Sequence, residues 1–133
     1  MISSQEMRIL ETESDIPRIN LMENAGKAVY LTIKQRMDLK DKKILVICYH
    51  GNNGGDGLVA ARYLSDEAET DLLFIGDENK MKKEALANFR KIEHNDRIQM
   101  LADDEVNFDE YDIIVDAILG IGIKGRLNRE ISA

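Results

Sequence analysis

The chain has 133 residues, 44% of them apolar and 32% charged, and a formal net charge of -7. That length fits one domain able to bury roughly two thirds of its unfolded surface, and the composition excludes intrinsic disorder. The acidic balance disfavours nucleic acid, no apolar stretch or signal-peptide core points to a membrane or to export, and the single Cys48 forms no internal disulfide. The expectation is therefore a protein of the reducing cytoplasm.

Asp15 and Pro17 read as a helix start, after which Ile16, Ile19, Met22, Ala25, Val29, Ile33 and Met37 recur at steps of three or four. This predicts a long N-terminal amphipathic helix. Ile44 to Tyr49 form a continuous apolar, β-branched run, the pattern of a strand buried on both faces. Gly51 to Gly57 follow as a glycine-rich loop, and Leu58, Val59, Ala60, Tyr63 and Leu64 then mark a helix. Leu72 to Ile75 read as a second strand, Asn79 to Glu93 as a helix with Met81, Ala85, Phe89 and Ile92 on one face, and Ile98 to Leu101 as a third strand. An acidic loop, Asp103 to Glu110, leads to a fourth strand, Ile113 to Leu119, interrupted by Asp116. Gly120, Gly122 and Gly125 make a second glycine loop.

Strands alternating with helices imply parallel pairing through right-handed crossovers. The fold class is α/β: a doubly wound, three-layer αβα, Rossmann-like and mostly parallel sheet, of simplest strand order 3-2-1-4. In that order the first and fourth strands are neighbours whose following connections leave toward opposite faces. Both glycine loops then meet at the switch point where open α/β sheets bind ligands.

Glycine tolerates positive φ and lets backbone N–H groups approach an anion, and a helix N-terminus directly after the loop adds a favourable partial charge. Gly51 to Gly57 thus read as a phosphate cradle, against the plainer alternative of a tight turn. Gly55, Gly57 and Ala60 satisfy G-x-G-x-x-A, and Gly120, Gly122 and Gly125 satisfy G-x-G-x-x-G. Asp77 lies about 20 residues past the first loop, where a dehydrogenase of the Rossmann type binds ribose. The extra Gly51-Asn52-Asn53-Gly54 sets this loop apart from a dehydrogenase fingerprint, and no Gly-Lys-Ser or Gly-Lys-Thr of a Walker A loop is present.

Three segments, Leu21-Met22-Glu23-Asn24-Ala25-Gly26, Gly51-Asn52-Asn53-Gly54-Gly55-Asp56-Gly57-Leu58-Val59-Ala60-Ala61-Arg62 and Asp112-Ile113-Ile114-Val115-Asp116-Ala117-Ile118-Leu119-Gly120-Ile121-Gly122, resemble the NAD(P)H-hydrate epimerase family, also called the YjeF N-terminal domain. The likeness spans essentially the whole chain. It implies a metabolite-repair isomerase that interconverts the R and S epimers of NADH or NADPH hydrated at the nicotinamide ring, NAD(P)HX. An ADP- or ATP-dependent NAD(P)H-hydrate dehydratase, fused or separate, is the implied partner.

By resemblance Asn52, Asn53, Gly54, Gly55 and Asp56 contact the substrate, and Gly120, Ile121, Gly122, Ile123, Lys124, Gly125 and Arg126 close over it. Asn53 and Asp116 match the family's ligands for K+. An amide oxygen and a carboxylate are hard donors that suit such an ion beside phosphates. The residues themselves leave Asp116 three readings: a cation ligand, an acceptor of backbone N–H groups, or a carboxylate at an exposed strand end. Lys124 and Arg126 read equally as phosphate contacts or solvated loop residues. Tyr49 and His50 stand where the family usually carries Gly-Pro. His50 reads as a surface imidazole, His94 as solvated, and Met22 as core filler.

Family members continue into an Asp-x-Pro-Ser-Gly segment that this sequence does not contain. Residues 1–133 therefore read as one epimerase-type domain lacking its C-terminal portion, and no catalytic residue is assigned. Missing edge strands would favour pairing with another chain, so a homo-oligomer is expected. Two other functions remain open: a non-catalytic dinucleotide- or protein-binding scaffold of the same fold, and a conventional nicotinamide dehydrogenase half-domain.

Overall fold

A computed structural model describes residues 17–118 and 120–125 of the chain. In chain order its elements are α1 (Arg18–Arg36), β1 (Lys43–Cys48), α2 (Asn52–Leu64), β2 (Glu69–Phe74), α3 (Lys83–Glu93), β3 (Ile98–Leu101), β4 (Ile113–Ala117) and β5 (Gly122–Gly125). Short 3-10 turns occupy Glu78–Lys80, Asp103–Glu105 and Phe108–Glu110.

Pro17 caps α1, its carbonyl accepting the N–H groups of Asn20 and Leu21 at 2.9 and 3.1 Å. The buried stripe runs through Leu21, Met22, Ala25, Gly26, Val29 and Ile33. Ile19, expected in that stripe, is exposed, and Leu21 takes its place. Asp15 and Ile16 lie outside the described residues. Lys34 and Arg36 in the last turn suit the negative end of the helix dipole.

The sheet has the order β3-β2-β1-β4-β5. Parallel ladders join β1 to β2, β1 to β4 and β2 to β3, as expected. β5 is a difference: the expected second glycine loop is an antiparallel strand that pairs with β4 from Ile113↔Gly125 to Asp116↔Gly122. The helix expected from Asn79 is also shorter. Asp77 accepts the Asn79 N–H at 2.9 Å, which closes a 3-10 turn, and α3 begins only at Lys83.

Strand alternation divides the sheet into two faces. Ile44, Val46 and Cys48 of β1, with Ile113, Val115 and Ala117 of β4, pack under the helices together with Leu58, Val59 and Leu64 of α2. α2 lies over β1, β2 and β4, with α1 and α3 against it. Each side chain fully buried here contributes about 1.5–3 kcal/mol of hydrophobic free energy. The other face carries Leu45, Ile47, Leu73 and Tyr111, with Val106, Ile114 and Ile118 packed against them. The β3–β4 connection reaches this second face, where the Tyr111 hydroxyl donates to the buried Asp71 carboxylate at 2.7 Å. Among the described residues this second layer holds 3-10 turns, and all three α-helices lie on the first face.

Candidate functional site

β1 ends at Cys48, and after only Tyr49, His50 and Gly51 the chain re-enters helix at Asn52. The expected glycine loop is therefore mostly the first two turns of α2. Gly54, Gly55 and Gly57 are helical, and among the described glycines positive φ occurs at Gly76 alone, at 136°. These glycines serve close approach rather than unusual backbone. A β-carbon on Gly54 would overlap the Tyr49 carbonyl oxygen, with its carbon 2.8 Å away. One on Gly57 would meet the Ala117 β-carbon at 2.7 Å and the Cys48 sulfur at 2.9 Å. Gly55 makes room for the Met22 thioether of α1.

The same logic explains Gly26, which the sequence alone left without a role. A side chain there would strike Val59 and come within 2.7 Å of the Asp56 carbonyl oxygen, so Gly26 lets α1 lie close on α2. Beside it, Glu23 receives the Arg62 guanidinium and the Tyr63 hydroxyl. Burial acts to raise the Glu23 pKa, but those two partners outweigh it and hold the carboxyl below its ordinary value. Helix α2 is thus clamped from the strand below and from α1 beside it.

That clamp fixes a helix N-terminus at the carboxyl edge of β1. Its cap residue is Gly51, which has no side chain to offer, and its first turn carries no acidic residue. Such an end offers backbone N–H groups and a partial positive charge to an anion. Asn52 is exposed and Asn53 half-buried, whereas Gly54, Gly55 and Asp56 are buried. Asp56 has no exposed surface. Burial, with Asp56 and then Asp116, pushes the Cys48 thiol well above its ordinary pKa.

Asp116 is exposed, stands opposite Ile47 and Gly122, and accepts the Ile118 N–H at 3.1 Å. Two of the three readings of this residue hold at once: backbone acceptor and exposed strand end. With Ile118, Gly120, Ile121 and Gly122 it lines a cavity of about 450 Å³. The structure thus joins Asp116 to three residues of the second glycine segment. Ile118, which the sequence reading passed over, belongs with them. Ile123 is turned into the core, Lys124 is exposed, Gly125 is half-buried, and Arg126 lies outside the described residues.

Asn53 does not line the cavity of Asp116. In β4 the residues Ile113, Val115 and Ala117 face the helices, so alternation turns Asp116 toward the opposite face. No group of three or more His, Cys, Asp or Glu among the described residues is placed to hold a metal ion. An amide and a carboxylate are donor types that suit an alkali cation, but Asn53 lies in the first turn of α2 and Asp116 in β4. His50 is neither exposed nor placed as an acid: its Nδ1 accepts the Asp77 N–H at 3.2 Å, while its ring lies against Tyr49. No described helix is long and apolar enough to cross a membrane.

Comparison with known proteins agrees with this geometry. The bifunctional NAD(P)H-hydrate repair enzyme Nnr of Methanocaldococcus jannaschii is 38% identical over 143 aligned residues, covering 96% of this chain and 28% of the relative. The NAD(P)H-hydrate epimerase of Elusimicrobium minutum is 33% identical over 96% of this chain and 64% of its own length. The chain thus spans under a third of the bifunctional relative and under two thirds of the epimerase. A yeast protein of known crystal structure superposes with a TM-score of 0.68 at 29% identity, over 90% of this chain and 56% of the other. The model of the family described as YjeF-related protein N-terminus matches residues 18–133, and the chain belongs to that family.

Proposed function

We propose that this chain forms the substrate-binding part of an NAD(P)H-hydrate epimerase, an isomerase that interconverts the R and S hydrates of the reduced nicotinamide cofactor. The observation that carries the reading is the glycine-capped N-terminus of α2 at the carboxyl edge of β1, with a cavity along the neighbouring β4 and β5. A dinucleotide's pyrophosphate fits the helix end, and the neighbouring cavity takes a ring of nicotinamide size. Asn52 and Asn53 supply amide groups at the rim, and Gly120, Ile121 and Gly122 shape the wall. Relatives bearing the names epimerase and repair enzyme support the same reaction.

The proposal extends to the cation at the level of donors. Asp116 would hold K+, whose charge would offset the pyrophosphate, while Asn53, on the helix face, does not share its cavity. A nucleotide-dependent dehydratase, fused or separate, would consume the S epimer. The setting is the cytoplasm, and a second copy pairs with an open sheet edge.

The test is incubation of the chain with R-NADHX, with and without potassium, following the R-to-S ratio by chromatography, beside calorimetric titration with ADP-ribose. Conversion faster than the uncatalysed rate is expected, together with ADP-ribose binding that Asn53→Ala weakens about tenfold. Absence of both conversion and dinucleotide binding would overturn the proposal and favour a scaffold role.

A further inference from the structure

A separate cavity of about 330 Å³ opens at the carboxyl end of β2, lined by Phe74, Gly76, Asp77, Glu78, Asn79 and Phe89. The proposed nicotinamide and pyrophosphate positions leave it unused. β2 and β4 are the two neighbours of β1, so this cavity and the one along β4 and β5 lie on either side of the β1 end. The α2 N-terminus, which follows β1, stands between them. A ligand whose phosphates rest on that helix end has one arm reaching toward each cavity.

The two halves of the β2 cavity differ in chemistry. Its apolar side is the half-buried Phe74, backed by the buried Phe89 with ring centroids 4.9 Å apart, so an aromatic edge is what a flat base would meet. Its lip is anionic and fixed. Gly76 turns the chain at φ 136°, His50 Nδ1 accepts the Asp77 N–H, and the Asp77 carboxylate accepts the Asn79 N–H. The nearby Arg90 guanidinium is engaged by Glu78 at 3.0 Å and Glu93 at 2.6 Å. Lys80, in the same turn, does not line the cavity.

We infer that this cavity is an adenosine subsite and that Asp77 selects a ribose with a free 2′-hydroxyl over one carrying a 2′-phosphate. The inference rests on the dinucleotide reading above and adds the preferred substrate, hydrated NADH rather than hydrated NADPH. A carboxylate accepts strong charge-assisted hydrogen bonds from a ribose diol. A 2′-phosphate brings close to two negative charges against the Asp77 carboxylate, while Glu78 holds Arg90 in an ion pair and keeps that cation from the phosphate, and like charges so placed cost binding. In dinucleotide-binding sheets of the Rossmann type, an acid about this far along the chain hydrogen-bonds the ribose 2′-hydroxyl.

The test is calorimetric titration of the chain with ADP-ribose and with 2′-phospho-ADP-ribose. The unmodified protein is expected to prefer ADP-ribose by about tenfold or more. Asp77→Asn keeps an oxygen for the Asn79 N–H while removing the charge, and it is expected to bring the ratio close to one. Glu78→Gln, which leaves the hydrogen bonds of the turn intact, should move the ratio in the same direction. Equal binding of both probes by the unmodified chain, or a ratio unmoved in both variants, overturns the inference while the dinucleotide reading stands. Failure of both probes to bind removes the two together.

Discussion

Replacing Gly54 with Ala sets two effects of opposite sign against each other. In a free helix the change gains about 1 kcal/mol of propensity. Here the new methyl overlaps the Tyr49 carbonyl oxygen, with the carbonyl carbon at 2.8 Å and the amide nitrogen at 3.1 Å, against a usual contact of about 3.5–4.0 Å. These atoms belong to the backbone that joins β1 to α2, so no side chain can rotate away. Overpacking of this kind costs about 3 kcal/mol or more, which leaves a net loss near 2 kcal/mol. For a chain of 133 residues that corresponds to a melting temperature lower by about 7 °C. Gly120→Ala is the control, because a β-carbon there meets nothing within 4 Å and its φ is not positive, so its stability should stay within about 0.5 kcal/mol. The assay is thermal and urea unfolding of the two variants beside the parent. A Gly54→Ala protein as stable as the parent would refute the close-approach argument and return the glycine to a purely ligand-binding role.

Tyr111→Phe removes the hydroxyl that donates to the Asp71 carboxylate, which is only 5% exposed, and should lower stability by about 1–3 kcal/mol in urea unfolding. Parity with the parent would show that Asp71 is satisfied without it. Folding raises the pKa of Cys48, chiefly by burial, and that of Tyr111, by burial and the Asp71 hydrogen bond. Groups raised in this way stabilise fully below their unfolded values, near 8.5 and 10, and that stability is lost as pH climbs through the folded values. Stability should therefore be level to about pH 8 and fall above about pH 9, by up to about 1.4 kcal/mol per pH unit for each group. Cys48→Ala should flatten the first part of that fall, and an unchanged slope between pH 9 and 10 would contradict the assignment.

The strand order was legible because β1 is an unbroken apolar run and β4 nearly so, the mark of strands covered on both faces. The boundaries of α1 and β3 followed from the same patterning. β5 was not legible: four residues, two of them glycine, carry too little β-branched or alternating character to stand out from a loop. The start of α2 was misread for a different reason. A missing Cβ serves positive φ and tight contact equally well, and only the position of the Tyr49 carbonyl and the Ala117 methyl shows that contact is the cause here. For the candidate site, the sequence named Asp116, Gly120, Ile121 and Gly122, which do share a cavity, but it overlooked Ile118 in the same wall. Asp56, which the sequence also set beside the ligand, is buried in the opening turns of α2.

The contact between Gly54 and the Tyr49 carbonyl has a mechanical meaning. With its opening turn wedged against a strand terminus and its flank locked to α1 by Gly26, α2 has no room to slide or roll when a guest arrives. The proposed phosphate end of the crevice is in consequence held in place by its own packing. Any accommodation falls to the opposite jaw, the Gly120–Gly122 stretch, where Gly120 has open space around it and the nearest neighbour of Gly122 is the Asp116 β-carbon at 4.0 Å.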